Sequence, residues 1–290
     1  MIVLSDALMK LEVEPFLRDA LREDIGRGGD ITSDLLISDK QISGAYIRSR
    51  VPGVVAGMEV AKRTFHMIDN SIDIDIKVSD GEQVRAGDDL MYVHGNTKVI
   101  LAAERVSLNV LGYMSGIATA TYDMMSLIRH TAAKVSCTRK IFPMGRLLAK
   151  YAVRVGGGGN HRFGLDNMIL IKDNHLEAVG GVLQAFEKLE NLRGHVFKVA
   201  MEVNSLEQVS ELVRHAKGRC HHIMLDNMSV YDMREAVKKV CECSIVTEAT
   251  GGIHKDSIVE VAETGVDYIS IGKLTHSAPV MDVGLDFCVN

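Results

Sequence analysis

A chain of 290 residues, 47% of them apolar, is long enough for one large or two modest cores, and its net charge of −5 comes without an extended basic tract, which sets nucleic-acid binding aside. No stretch approaches the ~18 uncharged apolar residues of a membrane span, and the opening MIVLSDALMKLEVEPF puts acids where an export signal needs an apolar run, so no membrane segment or export signal is expected. Five cysteines without CxxC spacing argue against a disulfide framework or a zinc site and for a reducing cytoplasm.

Residues 12–25 place Val13, Phe16, Leu17, Ala20, Leu21 and Ile25 on one helical face, and the glycines of Glu23 to Asp30 break it. No strand precedes those glycines, so a plain turn is expected there rather than a phosphate loop. From Ile31 to Thr97 short apolar runs alternate with turns. Residues 45–47, 53–56, 72–76 and 90–93 are strand candidates, and 59–67 is a helix crossing that small sheet. Asp80 to Asp88 resembles the turn of a lipoyl- or biotinyl-type sandwich. The likeness is architectural only, since Lys62 and Lys77 lack a carrier lysine's setting beside methionine. Glu104 to Thr119 reads as a strong helix with Val106, Val110, Tyr113, Met114 and Ile117 on one face. Arg105 lies beside that stripe near the predicted helix start, where a cation opposes the helix dipole; either another anion holds it or it is solvated.

After Ser115 the rhythm changes, which sets a boundary between residues 1–114 and 115–274. Candidate strands at 134–138, 168–172, 196–203, 222–226, 244–249 and 267–271 alternate with candidate helices at 145–155, 176–192, 205–217, 230–241 and 254–264. Ser205 with Gln208 makes a capping box, and Ser229 is a good N-cap. Repeated βα units at this spacing imply a parallel sheet with right-handed crossovers, either a barrel or a doubly wound layer.

Each of these strands ends in polar groups or glycines. The ends are Thr138-Arg139-Lys140, Lys172-Asp173-Asn174-His175, Glu202 with Asn204, Asp226-Asn227, Glu248 to Gly252, and Ser270-Ile271-Gly272-Lys273. In a βα barrel the carboxyl ends of the strands converge on one face, where active sites are built. Between Cys137 and His175 an acidic protein carries a basic island that includes Arg139, Lys140, His161, Arg162 and Lys172, suited to a small, multiply anionic ligand. Glu202 and Asp226, on neighbouring strand ends, could hold Mg²⁺ directly or through water, bond sugar hydroxyls, or stabilise positive charge on a sugar carbon; salt-bridging to the nearby lysines is the plainer alternative. Thr250-Gly251-Gly252, read as opening the next helix, and Gly272 one strand on, would let a phosphate approach backbone N–H groups. Gly156 to Gly159 reads as a turn that folds Asn160-His161-Arg162 over the ligand. The pair His221-His222 starts a strand, the wrong end for the site, and reads as structural rather than metal-binding. Cys137 reads as a small packing residue.

These residues resemble the quinolinate phosphoribosyltransferase (carboxylating nicotinate-nucleotide pyrophosphorylase) family nearly end to end. The likeness runs through Glu23-Asp24, Gly28 to Thr32, Ala103-Glu104-Arg105, Ser115 to Thr119, Thr138-Arg139-Lys140, Lys150-Tyr151-Ala152, Gly156 to Leu165, Lys172 to His175, Leu225 to Met228, Glu248 to Ile253 and Tyr268 to Ser277. It implies an α/β fold, with an N-terminal α/β sandwich followed by an incomplete parallel α/β barrel and the tail, 275–290, packed back on the first domain. It implies that Arg105, Arg139, His161, Arg162 and Lys172 bind the two carboxylates of quinolinate, with Arg105 reaching in from the partner of a homodimer. Thr138 belongs to the same substrate-binding run. Lys140, Glu202 and Asp226 match residues around phosphoribosyl pyrophosphate and Mg²⁺, and serve catalysis. Thr250, Gly251 and Gly252 with Ser270, Ile271 and Gly272 match the 5′-phosphate cradle. Cys137 stands where the family usually has Asp, and Ile141-Phe142-Pro143-Met144-Gly145 replaces Thr-Thr-Pro-Gly. That run is closer to relatives found with molybdenum-transport proteins, and it opens the reading of another acidic acceptor. Such a transferase and a non-catalytic anion-binding barrel are the alternatives.

Overall fold

The computed structural model describes residues 4–189, 197–216 and 218–288. The ends predicted at 190–192, 196, 217 and 289–290 lie outside them.

Two units emerge. The first takes in residues 1–122, 141–157 and 274–290. It opens with a short turn α1 (Asp6–Leu8), a π-helical stretch (Met9–Val13) and α2 (Glu14–Ile25), which buries Leu17 and Leu21 and stops at Gly26, where φ is +64°. The short helix α3 (Ile31–Leu36) is capped by Asp30. There follow β1 (Ile42–Ser49), β2 (Gly53–Val54), α4 (Met58–Ile68), β3 (Asp73–Ile76), β4 (Gln83–Val84) and β5 (Asp89–Asn96). The main sheet is antiparallel, and its edge beside β1 is filled by a strand from the far end of the chain, Val283–Phe287. The core under this sheet gathers Ile47, Phe65, Met91, Ile100, Leu111 and Met281.

Helix α5 (Thr97–Leu127) begins well ahead of the predicted Glu104. Arg105 therefore lies more than two turns inside it, and the dipole argument for an external anion does not apply there. The Asp80 turn has a structural task. The N-cap of α4 is Gly57, left-handed at φ +100° and without a side chain, so its orphan donors are met from a distance. Asp80 accepts from the N–H groups of Gly57 and Met58 at 2.9 and 3.0 Å and from the Tyr151 hydroxyl at 2.8 Å. Burial, reinforced by the Asp80 charge, pushes the Tyr151 hydroxyl well above its ordinary pKa, so it stays a donor. Asp80→Ala is expected to cost about 1–2 kcal/mol, the range of a lost helix cap. Urea unfolding of the two proteins side by side measures it, and equal midpoints would refute the capping role.

The second unit comprises residues 123–140 and 158–273. Its strands are β6 (Lys134–Cys137), β7 (Gly159–Asn160), β8 (Ile169–Ile171), β9 (Val199–Val203), β10 (His222–Asp226), β11 (Val246–Thr250) and β12 (Tyr268–Ser270). All neighbours pair in parallel in the order β7-β6-β12-β11-β10-β9-β8. Successive strands lie side by side, and β12 returns beside β6. A doubly wound sheet would reverse direction midway; this order is that of a barrel. Among the described residues no ladder joins β7 to β8, so the barrel is incomplete, as the family resemblance implied.

Helix α6 (Arg146–Val155) belongs to the first unit. In the second, the single helix predicted at 176–192 is two, α7 (Asp173–Val179) and α8 (Val182–Leu189). Gly180 and Gly181 stand at φ +99° and +122°, outside helical conformation, and Gly180 donates to Leu176 O at 2.9 Å to close the first. Helices α9 (Leu206–Ala216) and α10 (Val230–Val240) follow; Ser205 and Ser229 accept at their N-termini as expected. Gln208 reaches the N–H of Asn204 at 2.9 Å, one residue before the position a capping box requires. Helix α11 (Ile258–Ala262) and the turn α12 (Lys273–His276) complete the helices, and β13 is the edge strand Val283–Phe287.

Candidate active site

Side chains alternate along a strand, so the register decides which residues share the inner face. Ala200 lies opposite His222, Glu202 opposite Met224, Met224 opposite Glu248, and Asp226 opposite Thr250; Ser270 lies opposite Ser136, which lies opposite Gly159. Leu170, Ala200 and Met224, with Met168, form a small apolar cluster on this face. Beyond that cluster, towards the carboxyl ends, the face turns polar with Lys172, Glu202, Asp226 and Thr250.

Lys172 follows β8 directly. Its backbone N–H donates to His175 Nδ1 at 3.0 Å, which ties Lys172 to the first turn of α7. Its Nζ pairs with Glu202 Oε2 at 2.6 Å, and the Glu202 side chain is only 10% exposed. Residues from two strands thus meet in one charge-assisted contact. Asp226 accepts from Asn227 Nδ2 at 3.1 Å. Arg162 donates from Nη1 to Met168 O at 3.1 Å. Burial, and next the charge of Arg139, hold the Arg162 guanidinium below its ordinary pKa. Two predicted substrate cations are therefore close enough to repel one another, a concentration of positive charge suited to an anion. Arg139 and Lys140 are exposed, and the Lys140 N–H donates to Thr138 Oγ1 at 3.0 Å, turning the chain sharply after β6.

Thr250-Gly251-Gly252 does not open a helix, because α11 starts only at Ile258. The glycines matter for their conformation instead. Gly251 and Gly252 have φ of +93° and +62°, and a Cβ on Gly251 would lie 2.3 Å from Asn227 Oδ1. Asn227 itself has φ +53° and donates its N–H to Thr250 O at 2.9 Å. The two loops after β10 and β11 interlock at this point. Ser270 is buried and its hydroxyl donates to Glu248, so what Ser270, Ile271 and Gly272 can offer a phosphate is backbone. Cys137 is fully buried with Sγ 3.0 Å from Asn160 Oδ1, the packing role expected of it. Arg105 lies in the first unit, 61% exposed and 3.7 Å from Glu104.

Sequence reasoning placed Glu248 among the polar strand ends but gave it no role of its own. It is 2% exposed, and its Oε2 stands 2.8 Å from His222 Nε2. Burial alone would raise its pKa; the contact with His222, the electrostatic influence of His161 and the Ser270 hydroxyl outweigh burial and hold it below the ordinary value. A glutamate in the middle of a buried strand was the available signal. His221 behaves as the structural residue expected, its Nδ1 accepting from Val199 N–H at 3.2 Å. His222 does not stay at a distant strand end. Strands of a curled sheet tilt, so register is not height, and its ring lies 6.3 Å from that of His161.

The quinolinate phosphoribosyl transferase N-terminal domain model matches residues 30–115, and the C-terminal domain model matches residues 117–286. The chain is 37% identical over 276 residues to the probable carboxylating nicotinate-nucleotide pyrophosphorylase of Bacillus subtilis, covering 95% of this chain and 93% of that protein. It is 38% identical over 277 residues to the corresponding protein of Mycobacterium leprae, covering 93% and 95%. The solved nicotinate-nucleotide pyrophosphorylase of Francisella tularensis superposes with a TM-score of 0.89 at 35% identity, over 95% of this chain and 96% of that one. With the incomplete barrel, the Lys172–Glu202 contact and the glycine loop already in place, these matches show that the chain belongs to the quinolinate phosphoribosyl transferase family.

Proposed function

We propose that this protein transfers the phosphoribosyl group of phosphoribosyl pyrophosphate to quinolinate with decarboxylation, giving nicotinate mononucleotide, pyrophosphate and CO₂ for NAD biosynthesis. The observation that carries it is the Lys172–Glu202 contact, which brings an acceptor-binding cation and an acid of the ribosyl site together at 2.6 Å. Arg139, His161, Arg162 and Lys172 bind the two carboxylates and aim the pyridine nitrogen at the anomeric carbon; such positioning is a large share of the rate. Glu202 and Asp226 stabilise positive charge developing on the ribose, where preorganised charge acts most strongly. Lys140 draws off the pyrophosphate, and the loops at Thr250 to Gly252 and Ser270 to Gly272 take the 5′-phosphate on backbone N–H groups. The new N–C bond leaves the ring nitrogen cationic. It then accepts the electrons of the adjacent C–CO₂⁻ bond as CO₂ departs, and a solvent proton completes the ring.

The donor set fits Mg²⁺. Glu202 and Asp226 offer two hard oxygen donors from adjacent strands. This suits an ion that arrives with its substrate's phosphates and takes one or two protein carboxylates. Its contribution there is positive charge for the leaving pyrophosphate. We read the working form as a homodimer with Arg105 reaching the partner's acceptor subsite; its exposure, and the exposed Ile31, Leu35 and Leu36 of α3, support that reading. The cytoplasm is its proposed place, in keeping with five cysteines without CxxC spacing.

The test is incubation with phosphoribosyl pyrophosphate, Mg²⁺ and either quinolinate or nicotinate, reading CO₂ and mononucleotide. Quinolinate-dependent CO₂ in step with mononucleotide is expected; mononucleotide from nicotinate alone, or none from either, overturns the reading. Glu202→Gln removes a charge at the ribose while keeping the side chain's shape. It is expected to lower kcat by about tenfold or more and to leave the quinolinate KM less affected. An unchanged kcat would remove Glu202 from the chemistry.

A further inference from the structure

His161 stands just past β7, an edge strand of two residues, and a side chain on so slight an element needs support to hold a binding geometry. Two neighbours supply that support. The backbone N–H of Arg162 donates to His161 Nδ1 at 2.8 Å, so Nδ1 is an acceptor and the ring carries its proton on Nε2. The His222 ring lies against it, centroids 6.3 Å apart and planes tilted by 47°. His222 is itself held by Glu248 at 2.8 Å and by the Tyr268 ring at 6.4 Å, and Glu248 by the Ser270 hydroxyl. This is a chain of contacts from β12 through β11 and β10 to the acceptor subsite. Its anchor is a charged side chain 2% exposed, placed where an apolar residue would cost less.

We propose that His222, fixed by Glu248, is a positioning residue for quinolinate: its ring sets the orientation of His161, whose N–H meets an acceptor carboxylate. The proposal rests on the reading of His161 as an acceptor-binding residue. A histidine that merely fills the barrel interior would matter for folding and not for one substrate over the other.

Three variants separate these cases. His222→Gln keeps a polar side chain facing Glu248 and removes the ring from His161. It is expected to raise the quinolinate KM by about tenfold, the lower end of the effect of outer supports on binding histidines. The phosphoribosyl pyrophosphate KM and kcat should stay within about twofold. His161→Gln should raise the quinolinate KM at least as much, and the double variant should be no worse than His161→Gln alone, because His222 acts only through His161. Additive losses in the double variant, or equal rises in both KM values with a lowered Tm, overturn the proposal. If His222→Gln destabilises the protein, Glu248→Gln, which still accepts from Ser270, takes its place with the same expected pattern. Should His161→Gln itself leave the quinolinate KM unchanged, the reading of His161 falls. Should only His222→Gln and Glu248→Gln leave it unchanged, the support role alone falls.

Discussion

Lys172→Ala is expected to lower kcat/KM for quinolinate by about 10²–10³-fold, the range for removing one preorganised donor from a reacting centre. Two losses combine. The acceptor's carboxylates lose a compact cation at the end of β8, and Glu202, whose side chain is 10% exposed, loses the ammonium group 2.6 Å away. An acid so enclosed and without its partner is poorer at holding charge against the ribose. Lys172 itself is 43% exposed, so solvent screens much of the pair's worth to folding, and the variant is expected to remain folded. Lys172→Arg should fall between the two, since a planar fork cannot reproduce a point charge in the same space. Steady-state rates with CO₂ as readout check this. Values of kcat/KM for Lys172→Ala within threefold of the parent would remove Lys172 from the acceptor subsite and leave the 2.6 Å contact as a structural ion pair.

What could be read from residues alone, and what could not, divides along physical lines. β10 was legible to the residue, at 222–226, because a buried parallel strand is a short unbroken apolar run ending in an acid. The convergence of Lys172 and Glu202 was legible for the same reason: strand ends of a βα repeat share one face. Conformation set by a single residue was not. Gly180-Gly181 split a helix whose apolar period runs straight through them, and Gly251 and Gly252 carry positive φ in a loop where a helix start was expected. The edge strands β7 and β13 escaped because two residues have no period, and because β13 pairs with β1, more than two hundred residues earlier in the chain. The chain from Ser270 through Glu248 and His222 to His161 escaped for a related reason. It joins four separate strand segments, and only their register and tilt bring them together.

Gly251→Ala is expected to do damage out of proportion to one methyl group. Gly251 sits at φ +93°, where an L side chain is strained by about 1–3 kcal/mol before it touches anything. The methyl would then lie 2.3 Å from Asn227 Oδ1 and 2.8 Å from the Asn227 backbone nitrogen. A flexible side-chain tip could rotate away; a backbone nitrogen cannot, and this one donates to Thr250 O at 2.9 Å. Relieving the overlap means moving the loop after β10, and Asp226 with it, since Asn227 Nδ2 donates to Asp226 Oδ2 at 3.1 Å. One substitution therefore disturbs both the backbone proposed to bind the phosphate and Asp226, a proposed acid of the ribosyl site. We expect the phosphoribosyl pyrophosphate KM to rise and kcat to fall, together lowering kcat/KM by about 10²-fold, the order seen when catalytic geometry slips by an ångström. Quinolinate binding alone, measured by calorimetry, should be largely kept. Gly252 gives the internal comparison: its φ is +62°, within the left-handed region that some L residues adopt, and its nearest neighbour to a new Cβ is Asn227 Oδ1 at 4.0 Å. Gly252→Ala should cost clearly less stability than Gly251→Ala in urea unfolding. Equal costs would mean that the interlock with Asn227 does not hold these two loops together.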